Sequence, residues 1–311
     1  MPFQGTLLSM TAAPCTRSMV AMAGAQMASD GNLISVAELD SRIDGPDLGI
    51  IDCRFDLADP GAGRRSYLDG HIPGAVFADL DEDLAAPITP RSGRHPLPDP
   101  DTFARTCERL GISTTTEVIV YDQHSGSLAA RAWWMLRWLG HDNVRLLNGG
   151  IDRWITSSRP LVRGNESVAA GVFQATVRAD KILTTGELAA DPDGISGLRL
   201  IDARDAARFR GDLEPIDPVA GHIPGSTNLP FMASLHADGT WKSGDELADL
   251  WRRTLGADTT AAWAVMCGSG VTACHLALSA VEAGYSEPRL YAGSWSEWIR
   301  DSTRPIGLGE V

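Results

Sequence analysis

No apolar stretch in the 311 residues approaches the roughly 18–20 needed to cross a bilayer. Long runs of Lys and Arg are also missing, and the formal net charge is −13 with a pI of about 4.9. Such a chain is poorly suited to nucleic acid or to an anionic membrane surface, so an anionic substrate must be met by a local cluster of positive groups. Cysteine is scarce: Cys15, Cys53, Cys107, Cys267 and Cys274, an odd number with no Cys-x-x-Cys pair. That excludes a disulfide framework and a structural zinc site, and favours a reducing, cytoplasmic setting. Arg17 is the only basic residue among the first 30, so neither a secretory signal nor a mitochondrial presequence fits. Residues 1–32 are expected to be a disordered tail, and 306–311 a short one.

What is present is ordinary for a globular protein, with 43% hydrophobic residues. One segment stands apart. Cys267-Gly268-Ser269-Gly270-Val271-Thr272 follows the apolar run Ala261–Met266 and precedes Ala-Cys-His-Leu-Ala-Leu. This reads as strand, glycine-rich turn, helix, with the cysteine at the strand end. Such a turn aims backbone N–H groups at the sulfur, and the helix N-terminus adds positive potential. Both favour the thiolate, the nucleophilic form.

The chain is also written twice. Gly70-His71-Ile72-Pro73-Gly74 returns as Gly221-His222-Ile223-Pro224-Gly225, and Ile51-Asp52-Cys53-Arg54 as Ile201-Asp202-Ala203-Arg204. Leu147-Asn148-Gly149-Gly150-Ile151-Asp152-Arg153-Trp154 is echoed by Tyr291-Ala292-Gly293-Ser294-Trp295-Ser296-Glu297-Trp298. Three blocks recurring in one order at nearly one offset indicate a duplicated domain. Expected strands are 48–52, 117–121 and 144–147 in the first copy, and 198–202, 262–266 and 289–291 in the second. Helices are expected at 127–139 and 271–283. Apolar strands alternating with helices predict an α/β fold in each copy: a mostly parallel sheet flanked by helices on both faces. The expected division is 33–156, an irregular linker at 157–180, and 181–305. Aligning the loops puts Asp122 opposite Cys267, so the first copy has no nucleophilic sulfur and serves to wall the site.

These tandem blocks, with Arg208-Phe209-Arg210-Gly211 and the Cys267 loop, resemble a two-domain rhodanese-type sulfurtransferase. The resemblance implies an inactive first domain. It implies a second domain whose cysteine carries a sulfane sulfur as a persulfide to a thiol or cyanide acceptor, thioredoxin among the candidates. No metal or organic cofactor is implied. Five N–H groups after Cys267, through Gly268, Ser269, Gly270, Val271 and Thr272, can surround the outer sulfur.

The uncharged Gly268-Ser269 pair resembles the 3-mercaptopyruvate type, with Ser269 polarising the departing enolate. Thiosulfate is the alternative donor. Arg208 matches the family's donor-binding arginine, and Arg210 is nearby. The family's second arginine, after Glu-Pro, is Ile216 here. His71 matches the histidine of a proposed Ser-His-Asp relay. The relay aspartate falls near Ala62, with Asp59 and Asp69 as neighbouring carboxylates and the choice left open.

Bland roles stand beside these. His71 and His222 can tie turns, Arg54 and Arg204 can pair with Asp52 and Asp202, and Trp133, Trp134 and Trp138 sit at core spacing. Cys274, two helical turns from Cys267, reads as core packing. Asp81-Glu82-Asp83 reads as a solvated turn. A phosphatase of this fold needs an arginine six positions after the cysteine, and that position is Ala273. A non-catalytic sulfur carrier is a further alternative.

Overall fold

The computed structural model describes residues 1–2, 31–190, 197–256 and 262–309. Most of the expected N-terminal tail, with Cys15, lies outside them.

The first half carries β1 (Leu33–Ile34), α1 (Val36–Arg42), β2 (Leu48–Asp52), α2 (Ala62–Asp69), β3 (Ala75–Phe77), α3 (Pro100–Arg109), β4 (Glu117–Tyr121), α4 (Ala129–Trp138), β5 (Val144–Leu147) and α5 (Gly150–Thr156). The second carries α6 (Thr185–Ala189), β6 (Leu198–Asp202), α7 (Ala206–Arg210), β7 (Thr227–Asn228), α8 (Gly244–Leu255), β8 (Ala262–Met266), α9 (Thr272–Glu282), β9 (Arg289–Leu290) and α10 (Ser294–Trp298). Both sheets are parallel, in the orders β1-β5-β4-β2-β3 and β7-β6-β8-β9. A parallel bridge from Ile182 to Leu290 stands where β1 pairs with β5. The two halves are therefore the same topology twice.

Five expected strands match their observed bounds, because buried parallel strands are continuous apolar runs with sharp ends. The first expected helix starts two residues late, at Ala129. The N–H groups of Leu128 and Ala129 donate to the Asp122 carboxylate, which holds Ser127 and Leu128 in the preceding turn. Residues 306–309 are pinned instead of trailing: Gly307 forms an antiparallel bridge with His222, and the Gly309 N–H donates to Arg210 O.

Alternation along each central strand assigns its two faces. Ile119 and Tyr121 face a cluster with α1 and α5, whereas Val118 and Val120 face the opposite way. In β8, Ala264 and Met266 join Trp295 and Trp298, while Trp263, Val265 and Cys267 point inward. The inward faces of both sheets, with α3, α4, α8 and α9, form one continuous apolar core. Nine of the ten residues of α4 are buried, Trp133, Trp134 and Trp138 among them, as expected of a helix packed on a sheet and on α9 together. Each large apolar side chain among them contributes roughly 1.5–3 kcal/mol by burial.

The Asp-x-Arg strand ends are structural in both halves. The Arg54 guanidinium donates to Asp52 and to Gly70 O, and Arg204 repeats this with Asp202 and Gly221 O. Each pair thereby fastens its His-Ile-Pro-Gly turn to the sheet.

Candidate active site

Cys267 follows β8 at the carboxyl end of its sheet, where parallel α/β folds present their chemistry. Its backbone is fixed on both sides: the Cys267 N–H donates to Ser294 Oγ at 3.0 Å, and its carbonyl accepts from the Trp295 N–H at 3.0 Å. The sulfur accepts the Gly270 N–H at 3.1 Å. That bond requires the chain to fold back with φ +76° at Gly270, and a Cβ there would strike Ala292 O. Helix α9 then starts at Thr272 with no side-chain cap, its positive end directed at the loop.

The first copy shows the same loop built around a carboxyl group. Asp122 replaces Cys267, and its carboxylate accepts N–H bonds from Gly126 at 2.9 Å, Leu128 at 2.8 Å and Ala129 at 3.3 Å. Burial pushes this carboxyl up, and those three donors pull it back. Gly126 has φ +77°, the counterpart of Gly270. The second loop is one residue shorter before this glycine, and beyond it Leu128 and Ala129 correspond to Thr272 and Ala273. The loop is an anion cradle in both halves, occupied by oxygen in one and built around sulfur in the other.

Cys267, Gly268, Ser269, Val271 and Thr272 line a cavity of ≈ 160 Å³ together with Arg208 and Ile216. The opposite wall comes from the first half: Phe55, Leu57, Leu80, Arg94, His95 and Leu128. Cys267 itself is 2% exposed.

Ser269 Oγ lies 2.8 Å from His95 Nδ1, and His95 Nε2 lies 3.4 Å from Asp81 Oδ1. Burial, then the positive charges of Arg131 and Arg94, push the imidazole down to about 3, so it is neutral at pH 7. The Asp81 carboxylate selects the tautomer with the proton on Nε2, leaving Nδ1 to accept from the Ser269 hydroxyl. Asp81 is itself raised, by burial and then by Asp79 and Glu82. Serine, histidine and carboxylate thus stand in line, with 174 positions of sequence between His95 and Ser269.

The histidine of this line is His95, not His71. His71 is fully buried, with Nδ1 2.8 Å from Tyr67 O, its ring stacked on Tyr67 at 4.0 Å, and its backbone bridged to Val162. His222 repeats this in the second half, against Phe209 O and the Phe209 ring, bridged to Gly307. Both histidines tie turns. Asp59 and Asp69 are likewise elsewhere, facing Arg65 and Arg163 on the surface. The carboxylate in line is Asp81, from the stretch read as a solvated turn.

Arg208 lines the cavity, whereas Arg210 points to Asp212 and takes no part in the lining. The second cation is Arg94, supplied by the first half. A Cβ at Gly268 would sit 2.9 Å from Arg94 Nη2 and 3.6 Å from Arg208 Nη2, so both guanidinium groups converge over that glycine. Asp217 bridges them: it pairs with Arg94 Nη1 and accepts from Arg208 Nη2 at 3.1 Å. Glu214 holds Arg208 Nε from behind at 3.0 Å. Burial is the main influence on Asp217 and pushes its carboxyl up despite both arginines. Arg94 and His95 lie in the Pro-rich stretch between β3 and α3, outside the sequence blocks that recur in the second half. The available signal was a histidine between an arginine and a proline there, in Gly93-Arg94-His95-Pro96.

A family model described as "Rhodanese-like domain" matches residues 35–157 and again 184–301. The chain belongs to the rhodanese family. This rhodanese is 44% identical over 284 residues to a probable 3-mercaptopyruvate sulfurtransferase of Pseudomonas aeruginosa, covering 91% of this chain and 100% of the relative. It is 40% identical over 281 residues to a putative thiosulfate sulfurtransferase of Mycobacterium tuberculosis, covering 89% and 97%. The crystal structure of SseA from Escherichia coli, one of the 3-mercaptopyruvate sulfotransferases, superposes with a TM-score of 0.74 at 34% identity, covering 86% of this chain and all of that one. With such relatives this rhodanese is an enzyme of the sulfurtransferase class. Among the described residues no helix is long and apolar enough to cross a membrane.

Proposed function

We propose that this rhodanese moves the sulfur of 3-mercaptopyruvate to a thiol or cyanide acceptor through a persulfide on Cys267. The donor's carboxylate sits between Arg94 and Arg208, whose N–H groups form charge-assisted bonds to it in place of those to Asp217. Its carbonyl oxygen lies at Ser269. The Cys267 thiolate attacks the donor's sulfur, the carbon–sulfur bond breaks with its electron pair passing to carbon, and pyruvate leaves as its enolate. His95, held by Asp81, orients the Ser269 hydroxyl, which turns to donate its hydrogen bond to the enolate oxygen as the carbon–sulfur bond breaks; the proton of the donor's thiol, released as the persulfide ionises, completes the methyl group. The cradle N–H groups of Gly270, Thr272 and Ala273 hold the outer sulfur of the Cys267 persulfide. In the second half-reaction an acceptor thiolate or cyanide attacks that sulfur, and the departing electron pair restores the Cys267 thiolate. Gly268 keeps the space between the arginines open.

The observation that carries the choice of donor is the 2.8 Å contact of Ser269 with His95 beside an uncharged Gly268. A hydroxyl–imidazole relay suits a leaving group that develops charge on a carbonyl oxygen. Thiosulfate offers no such oxygen. We also divide the chain at 33–156 and 181–305, and place it in a reducing, cytoplasmic setting, supported by four free described cysteines. Thioredoxin is a protein thiol that such an acceptor step accommodates.

The test is side-by-side kinetics with both donors, with mass analysis of the Cys267 peptide after donor alone. The expected result is a gain of one sulfur mass and a much larger kcat/KM for 3-mercaptopyruvate. A preference for thiosulfate overturns the donor, and no adduct from either donor overturns the chemistry.

A further inference from the structure

Helix α4 of the silent half sends Arg131 under the catalytic loop. Its guanidinium is fully buried and makes four hydrogen bonds to three backbone carbonyls: Nη1 to Gly270 O at 3.0 Å, Nη2 to His95 O at 3.0 Å, and Nε and Nη2 to Leu84 O at 3.3 Å each. No carboxylate among the described residues pairs with it. A buried cation that lacks an anionic partner is unfavourable unless an anion is present part of the time. The groups able to become that anion are the sulfurs of Cys267 and Cys274, both of which interact electrostatically with Arg131.

Gly270 links the two. Its N–H donates to Cys267 Sγ at 3.1 Å, and its carbonyl accepts Arg131 at 3.0 Å. The carbonyl end of one peptide group is thereby anchored by the cation, and the amide of the same residue faces the sulfur. Cys274 Sγ reaches that carbonyl as well, at 3.3 Å, and burial raises its thiol to about 12.

The duplication supplies the comparison. With Gly126 matched to Gly270, Arg131 matches His275. His275 makes the reciprocal contact, its Nε2 lying 3.1 Å from Ser125 O in the Asp122 loop. Burial drives His275 down to about 3, so it is neutral. The two halves thus share the crossing contact but not the charge. The loop with a ready-made carboxylate is crossed by a neutral ring, and the loop with the cysteine by a permanent cation.

We propose that Arg131 is a positioning residue, the counter-cation of the Cys267 loop, which stabilises the thiolate and then the persulfide from the silent half. It acts through Gly270, without touching the sulfur. The other groups facing this loop are Arg94 and Arg208, both held by Asp217, the neutral His95 behind Ser269, and Cys274.

The inference rests on Cys267 as the nucleophile, not on the donor. The test therefore uses none: iodoacetamide alkylation of Cys267 across pH, followed by mass analysis of its peptide. Arg131→Gln should move the midpoint upward and lower the rate at pH 7 about ten-fold, whereas Arg131→Lys, which keeps the charge, stays within about three-fold. His275→Gln should leave the profile unchanged. An Arg131→Gln profile that superposes on the parent while Tm falls reduces Arg131 to a structural role and overturns the proposal. Should the neutral variant fail to fold, the Arg131 guanidinium resonance of ¹⁵N-labelled parent protein decides: it should shift with the same midpoint as the alkylation, and a resonance indifferent to Cys267 ionisation overturns the idea. Failure of sulfur transfer with an intact alkylation shift would instead count against the donor reading alone.

Discussion

Replacing Arg94 by alanine separates binding from chemistry at this site. A charge-assisted hydrogen bond to a carboxylate is worth about 1.5–3 kcal/mol, or about 10- to 150-fold in an equilibrium constant. The donor's carboxylate is present equally in the ground state and in the transition state, so the loss should fall on KM with kcat held within about three-fold. A second effect adds to it. Asp217 has a side chain only 3% exposed, and in Arg94→Ala it keeps Arg208 alone, at 3.1 Å. Its undivided charge then competes with the donor for that arginine. Adding Asp217→Asn should therefore recover part of the loss, and the double-mutant cycle should show a coupling of about 1 kcal/mol or more. The assay is steady-state release of pyruvate against 3-mercaptopyruvate concentration. A KM within two-fold of the parent, or a loss confined to kcat, would refute the shared-arginine reasoning.

His95→Gln should reduce kcat by about 10²–10³-fold while Cys267 alkylation is unchanged, whereas His71→Gln should lower Tm and leave kcat/KM within about two-fold. Because His95 is held down to about 3, the kcat profile of the parent should show no ionisation near pH 6.5 that His95→Gln removes; finding one would contradict a neutral relay. Gly270→Ala combines φ +76° with a clash on Ala292 O, so chemical denaturation should report a loss of at least ~2 kcal/mol, and an unchanged midpoint would mean the loop relaxes freely.

The buried strands were legible because a parallel sheet covered on both faces writes itself as short apolar runs between turns. The proposed nucleophile was legible because Cys267 ends such a run before a glycine turn. Its partners were not. Repeats directed attention to His71, and a motif that recurs in both halves is by construction one that the scaffold needs: His71 and His222 perform the same turn-tying. Arg94, His95 and Asp81 lie outside the repeated blocks, and 174 residues separate His95 from Ser269, so no local pattern couples them. Arg131 is a lone charge in an otherwise apolar stretch of helix, and only its carbonyl partners from three segments show how that charge is buried.

The unbroken apolar core between the sheets has a consequence for how the molecule comes apart. Family matching counts two domains, but α4 and α9 bury each other, so neither half retains its inner face alone. Cut at the connecting segment, each would display a wide oily surface. Evolution duplicated a gene segment here; thermodynamics recognises one body, which should melt in a single transition and lose its catalytic loop and its crossing arginine together.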